Sequence, residues 1–355
     1  MGRNFWTRLW ERGLYSSLVG LVYALWNFPF VWHLYVICGL TALSMGFFTG
    51  LLDHFLFRTR LRRQPFLIVL FVRTIAYILV ISLSILLIFG IYYAILDQIT
   101  VQMIREEVLD WVFRGNFWQA VVYAFSILLI VQFLTLVSRV LGPNVLFNYL
   151  MGRYHQPQEE ERIFMFLDLK GSTMIAEQIG PLLWHQFLND FFFDIAGPVR
   201  RSRGEIYQYV GDEVVISWPK KVGLRNLNCI HCFFWLYNRF EKEKLKDKYK
   251  KKYGYEPVFK AGYHIGKIIV GEIGDYKRDI VFHGDTINTA SRIQVECNHY
   301  RRRLLLSHTL LEQLDLGEEY KAEYLTKILL RGKQEEIELY SLDPVDERER
   351  VPAVY

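Results

Sequence analysis

Two aspartates stand where strand-forming runs give out. In "FLDLKGST" Asp168 lies near the C-terminal end of an apolar run, and Gly171, Ser172 and Thr173 form a small-residue turn that opens a helical pattern. Backbone N–H groups at such a turn favour phosphate. A carboxylate beside a phosphate is repelled unless a cation lies between them, so Asp168 with this loop implies a metal. Taken alone, the same residues read equally well as a solvated strand end followed by a helix cap. In "GEIYQYVGDEVVISW" (204–218) Asp212 follows Gly211 at the tip of a tight hairpin, a turn that needs no function to exist.

The elements around these residues decide whether they meet. A β run at 162–169 is followed by a helical pattern at about 173–201, the hairpin at 205–218 and a second long helix at 224–253. Strand patterns follow at 258–274 and 280–284, then a helix at 286–298 and last strands at 303–308 and 327–342. The order β-α-β-β-α-β is ferredoxin-like, with extra strands appended. In that order the first strand and the hairpin's first strand are expected side by side, which brings the hairpin tip to the end of strand one. Asp168 and Asp212 then share one small volume. Adjacent carboxylates are costly unless protonated or bridged by cations, and two Mg²⁺ ions roughly 3.5–4 Å apart are the recurrent solution in phosphoryl transfer.

Two further groups suit a nucleotide. Asn288 and Arg292 in "GDTINTASR" are spaced i, i+4 and share a helix face. An amide suits a sugar oxygen and a guanidinium a phosphate, although taken singly they read as an ordinary helix surface. Arg331 and Lys333 flank Gly332 in a late turn, the weakest of the four signals.

These pieces, in this order, resemble the class III nucleotidyl cyclases, the adenylate and guanylate cyclase catalytic domain, in their membrane-anchored bacterial form. The similarity runs from about residue 160 to 342. The family's F-x-D-I-x-G-F-T appears as "FLDLKGST", its G-x-x-V-N-x-A-x-R as "GDTINTASR", and its G-x-H-x-G-x-x-x-G segment as "GYHIGKIIVG". The resemblance implies that Asp168 and Asp212 hold two Mg²⁺ or Mn²⁺ ions, with the backbone carbonyl of Leu169 as a further ligand. It implies phosphate contacts from Gly171, Ser172, Thr173 and Lys333, a ribose-orienting Asn288 and a transition-state Arg292. The expected reaction turns a nucleoside triphosphate into its 3′,5′-cyclic monophosphate and pyrophosphate, in a head-to-tail homodimer with two sites. Ser172 departs from the usual phenylalanine. The base-reading positions carry Gln208 and Val281, where adenylate cyclases usually show lysine and aspartate or threonine, and guanylate cyclases glutamate and cysteine. A glutamine amide both donates and accepts, so it addresses either purine; ATP is favoured from the family's general bias. The alternatives are a guanylate cyclase and a catalytically silent cyclase-like receptor.

The chain before residue 142 is of another kind. Hydrophobic residues make up 52% of the 355 residues and are concentrated here. Asp53 is the only formal charge between Leu14 and Phe57, Arg73 the only one between Phe66 and Leu96, and Trp118–Ser138 has none. Such windows read as membrane helices. Four spans are expected at about 13–29, 32–56, 66–95 and 118–140; a three-span version would make the first helix interfacial. Arg3, Arg8, Arg12 and the arginines at 58–63 place the N-terminus and catalytic domain on the cytoplasmic side of a multi-pass cell-membrane protein. Arg73, near the end of its span, is expected to snorkel. A transporter with a regulatory domain ranks low, because the spans carry few groups to coordinate a solute. Residues 141–161 are expected as a membrane-exit helix and polar linker, 162–345 as the catalytic domain and 346–355 as a tail. The net charge of +5 gives no sign of a nucleic-acid partner. Cys229 and Cys232 read as reduced core residues rather than half a metal site, and the charge run at 241–253 as a solvated helix end.

Overall fold

The computed structural model describes residues 3–27, 32–53, 55, 64–96, 122, 125–126, 129–130, 132–138, 148, 151–242, 245–276, 278–330 and 335–345. The chain divides into two compact units, Met1–Val140 and Leu141–Tyr355.

In the first unit, uninterrupted apolar sequence forms α1 (Arg3–Asn27), α2 (Trp32–Leu52) and α3 (Phe66–Leu96). Helices α1 and α2 pack through contacts such as Trp10 on Phe47, with ring centroids 5.8 Å apart. Among the described residues one stretch, Phe66–Ser84, is long and apolar enough to cross a membrane; Cys38–Leu52 is apolar but shorter. About half of the fourth expected span, 118–140, lies outside the described residues. Arg73 departs from the expectation that it snorkels. Its side chain is 5% exposed and its Nη2 lies 2.6 Å from Asp53 Oδ1. The Tyr77 hydroxyl accepts from Arg73 Nε at 3.2 Å and donates to Asp53. A charge that finds a partner on the neighbouring helix has no need of the interface.

The second unit is an α+β domain. Its elements are β1 (Gln158–Leu169), α4 (Ser172–Ile179), α5 (Pro181–Arg201), β2 (Glu205–Val210), β3 (Glu213–Pro219), α6 (Asn228–Lys242) and α7 (Leu245–Tyr253). They continue with β4 (Phe259–Ile273), β5 (Asp279–His283), α8 (Asp285–His299), β6 (Leu304–Ser307), β7 (Tyr320–Ile328) and β8 (Ile337–Pro344). The sheet runs β2-β3-β1-β4-β6-β8-β7, with β5 paired to β4.

Strand β1 is apolar on both faces because both are covered. Ile163, Met165 and Leu167 pack with Phe187, Phe191 and Phe233 under α5 and α6. Phe164 and Phe166 pack with Ile268, Val270 and Ala290 under α8. Asp168, next in the even series, therefore faces α8.

Several boundaries differ from the sequence reading. Strand β1 pairs with β3, the second hairpin strand, and β2 lies at the edge; the hairpin tip still meets the end of β1. The supposed linker is partly strand, since Gln158–Glu161 pair with Val270–Lys267 of β4. Gly180 divides the first long helix into α4 and α5. The charge run is not simply solvated, because the buried Tyr249 and Tyr253 donate to Asp194 and Asp190 of α5, each at 2.8 Å. Cys229 and Cys232 are fully buried and free, and burial pushes both thiols up to about 12.

Candidate active site

The site is built where the central strands end. Asp168 is the penultimate residue of β1, opposite Glu213 on β3 and Lys260 on β4. Gly211 takes φ +62° in the hairpin turn, a left-handed conformation that glycine adopts without strain, and Asp212 follows it. Asp212 stands close enough to Asp168 to raise the pKa of its carboxyl. The antiparallel pairing of β1 with β3 thus delivers the juxtaposition expected from the sequence, by a different neighbour.

The electrostatics are those of crowded acids. Burial, then contact with Asp212, raises Asp168 above the usual carboxylate range, while Lys260 pulls it down. Burial, followed by the charges of Asp168 and Asp212, pushes Glu213 up to about 7. Two residues answer the Asp168 carboxylate directly. Lys260 Nζ lies 3.1 Å from Oδ2, and Gln294 Nε2 on α8 donates to the same oxygen at 2.8 Å. Neither was expected from the sequence, nor was Glu213. A lone lysine in the apolar run "VFKAGY" and the second acid of "GDE" were the available signals; Gln294 had none.

Among the described residues no three or more His, Cys, Asp or Glu side chains converge as a metal cage. An open pair of carboxylates nonetheless fits Mg²⁺, which typically takes one or two protein carboxylates and completes its shell with substrate phosphates and water. The mutual repulsion recorded at Asp168 and Glu213 is what a bound cation relieves. Leu169 ends β1 opposite Phe259, and the chain turns through Gly171 into α4, which begins without a side-chain cap. Ser172 is half-buried and Thr173 exposed at that N-terminus.

The other candidates lie elsewhere in the chain. Helix α8 buries Thr286, Thr289, Ala290, Ile293, Gln294 and Cys297. Asn288 and Val295 are exposed on the opposite face, and Arg292 is half-buried beside them. Since Gln294 points at Asp168, Arg292 two positions earlier is turned well away, at about 100° per residue. The fold does not bring Asn288 and Arg292 to the aspartate pair of their own chain. Arg292 Nη1 is buried without a hydrogen-bond partner among the described residues.

Gln208 and Val281 are brought to neighbouring segments. Tyr207 sits at a register shift in β2. Its ring stacks on Phe282 of β5 at 4.4 Å, and its hydroxyl accepts the Phe282 N–H at 3.2 Å. That bridge carries Gln208, exposed, and Val281, half-buried, on the residues next to it. Lys333 lies outside the described residues. A cavity of about 600 Å³ lined by His264, Asp285, His308, Lys327 and Glu336 contains none of the candidates.

Residues 154–344 match the family model described as "Adenylate and Guanylate cyclase catalytic domain". The chain is 36% identical over 221 residues to "Adenylate cyclase 2" of Rhizobium meliloti (strain 1021), covering 62% of this chain and 60% of that protein. It is 24% identical over 185 residues to "Adenylate cyclase" of Anabaena cylindrica, covering 50% of this chain and 36% of that one. The chain thus spans less than two thirds of the length of these relatives. A solved bacterial light-regulated adenylyl cyclase superimposes with a TM-score of 0.52 at 19% identity, over 65% of this chain and 66% of that one, a likeness of fold.

Proposed function

Because this chain belongs to the adenylate and guanylate cyclase catalytic-domain family, we propose that it is a membrane-anchored adenylate cyclase, forming 3′,5′-cyclic AMP and pyrophosphate from ATP in a head-to-tail homodimer. The observation that carries this reading is the placing of Asp212 beside Asp168 at the end of β1, where Asp168 is opposite Glu213. It supplies the acidic pair that a nucleotide–metal complex needs, on the scaffold the family uses.

Asp168 and Asp212, with the Leu169 carbonyl, would hold two Mg²⁺ or Mn²⁺ ions. When bound, such ions lower the pKa of the ribose 3′-hydroxyl and offset charge on the phosphates. The N–H groups of the turn through Gly171, Ser172 and Thr173 face the phosphates, and Lys333 holds their terminal end. Asn288 sets the ribose, and Arg292 meets the charge that grows on the α-phosphoryl oxygens. The exposure of Asn288 and the turning of Arg292 away from Asp168 on α8 support a site completed by a second chain. Arg292 Nη1, enclosed without a partner, suits a phosphoryl oxygen.

ATP is preferred over GTP because the matched relatives quoted above are named adenylate cyclases; Gln208 itself is neutral between the purines. The apolar helices α1–α3 and the arginine-rich segments beside them support a multi-pass anchor in the cell membrane, with the catalytic domain on the cytoplasmic side. Lipid is then the partner of the first unit.

The test is turnover of ATP and GTP by the purified full chain with Mg²⁺ or Mn²⁺. Cyclic AMP as the major product supports the reading; cyclic GMP as the major product replaces it with a guanylate cyclase. A folded dimer that turns over neither establishes a silent receptor.

A further inference from the structure

Asp168 does not stand alone at the end of β1, and what holds it comes from two other elements, β4 and α8. Lys260 is directly opposite Asp168 in the β1–β4 register. Its side chain is only 6% exposed, with Nζ at 3.1 Å from Oδ2. Gln294 is 3% exposed on α8 and donates to that same Oδ2 at 2.8 Å. Helix α8 comes close enough for this because Gly262 of β4 has no side chain. A Cβ there would lie 2.2 Å from the Gln294 backbone nitrogen and 2.5 Å from its Cα. The Cys297 thiol, one turn on, lies 3.4 Å from the Ala261 carbonyl, at the same contact.

Buried lysine and glutamine side chains need partners, and both spend their donors on a single carboxylate oxygen. A carboxylate whose one oxygen is held by two buried donors has its plane fixed, which leaves its other oxygen to a cation. Partners of this kind orient metal ligands, and their loss typically weakens metal binding about 10–100-fold.

We propose that Lys260 and Gln294 are positioning residues for metal binding: they hold Oδ2 of Asp168, reserve its second oxygen for the cation, and place the Lys260 ammonium as the resident counter-charge of the metal-free site. This rests on the reading of Asp168 as a metal ligand, and it assigns work to two residues outside the set named for the reaction.

The test is Mn²⁺ binding to the full-length protein in detergent, by electron paramagnetic resonance, with melting temperature read alongside. Gln294→Leu is expected to weaken Mn²⁺ binding roughly ten-fold while the protein melts cooperatively in chelator. In an Asp168→Asn background the same change is expected to cost nothing further, because the metal-binding carboxylate that Gln294 orients is already gone. Should Gln294→Leu not fold, Gln294→Asn, one methylene too short to reach Oδ2, carries the same prediction. Lys260→Met is expected to melt below the wild type in chelator and to recover when Mn²⁺ is saturating, since the cation replaces the ammonium. Binding within two-fold of wild type in folded Gln294→Leu overturns the proposal. An equal loss in the Asp168→Asn background, or a Lys260→Met deficit that Mn²⁺ leaves unchanged, overturns it as well. If Asp168→Asn binds Mn²⁺ like the wild type, the metal assignment fails, and the clamp with it, for a separately visible reason.

Discussion

At the scale of single residues, the chemistry concentrates in three carboxylates crowded at one strand end. Asp168, Asp212 and Glu213 act on one another's charge, and among the described residues Lys260 offsets them. Replacing Asp212 with Ala should lower cyclisation about 10³-fold, the rate equivalent of several kcal/mol of metal-borne charge stabilisation. The pH dependence follows from Glu213. Its carboxyl is raised from 4.5 to about 7 in the folded protein, so the folded state binds this proton more tightly than the unfolded chain does. The resulting stability is present in full below pH 4.5 and is lost as pH rises through 7. In chelator, the melting temperature should therefore fall between pH 5 and pH 7.5, and fall less in Glu213→Gln; identical slopes would remove Glu213 from the account. Substrate choice is also a residue-scale matter. Gln208→Lys should raise the ATP-to-GTP ratio of kcat/KM by about ten-fold, the worth of one charge-assisted hydrogen bond. An unchanged ratio would mean that the base is read elsewhere. The meeting of Asp168 and Asp212 was legible in turn chemistry and strand order, whereas Asn288 and Arg292 stand out only through the resemblance, since taken singly they read as helix surface. Lys260 and Gln294 were not legible, because a lysine inside a strand and a glutamine on a buried helix face acquire meaning only when register and packing bring them to one oxygen.

At the scale of elements, the fold works by bringing α8 hard against β4. Gly262 permits it, and Gly262→Ala would drive a Cβ into the backbone of Gln294. Destabilisation by about 3 kcal/mol, the upper end of the overpacking range, is expected in chemical denaturation; a neutral substitution would show that α8 can slide. Period-two patterning disclosed most strands, but it could not disclose their partners. The hairpin's second strand, not its first, pairs with β1, because apolar alternation is the same for either neighbour. The start of β1 was hidden for another reason. Glu159, Glu160 and Glu161 look like linker, yet Arg162, 3% exposed, bonds Glu160 at 3.0 Å, and also Glu205. Charges paired across strands leave no hydrophobic signature. The same holds for α7, where Tyr249 and Tyr253 are buried under lysines that dominate the composition.

At the scale of the whole molecule, two units of opposite character share one chain, and the proposed site draws its residues from two copies of it. Hydrophobic runs made the helical N-terminal unit legible. The Asp53–Arg73 pair at 2.6 Å was not, since the partner of a charge in an apolar helix depends on which helices pack together. The central claim is that the aspartate pair of one chain and the Arg292 of another act on the same ATP. It predicts that Asp212→Ala and Arg292→Ala are each inactive, and that the two regain activity when mixed. With random exchange, half of the dimers are mixed and each holds one intact site of two, so recovery should approach about a quarter of the wild-type rate. The most direct test is therefore cyclic AMP formation by the two full-length variants, co-expressed and co-purified in equal amounts. Activity near that level, absent from either variant alone, is the predicted result. No recovery from a mixture shown to contain heterodimers, or full activity in either single variant, would contradict it.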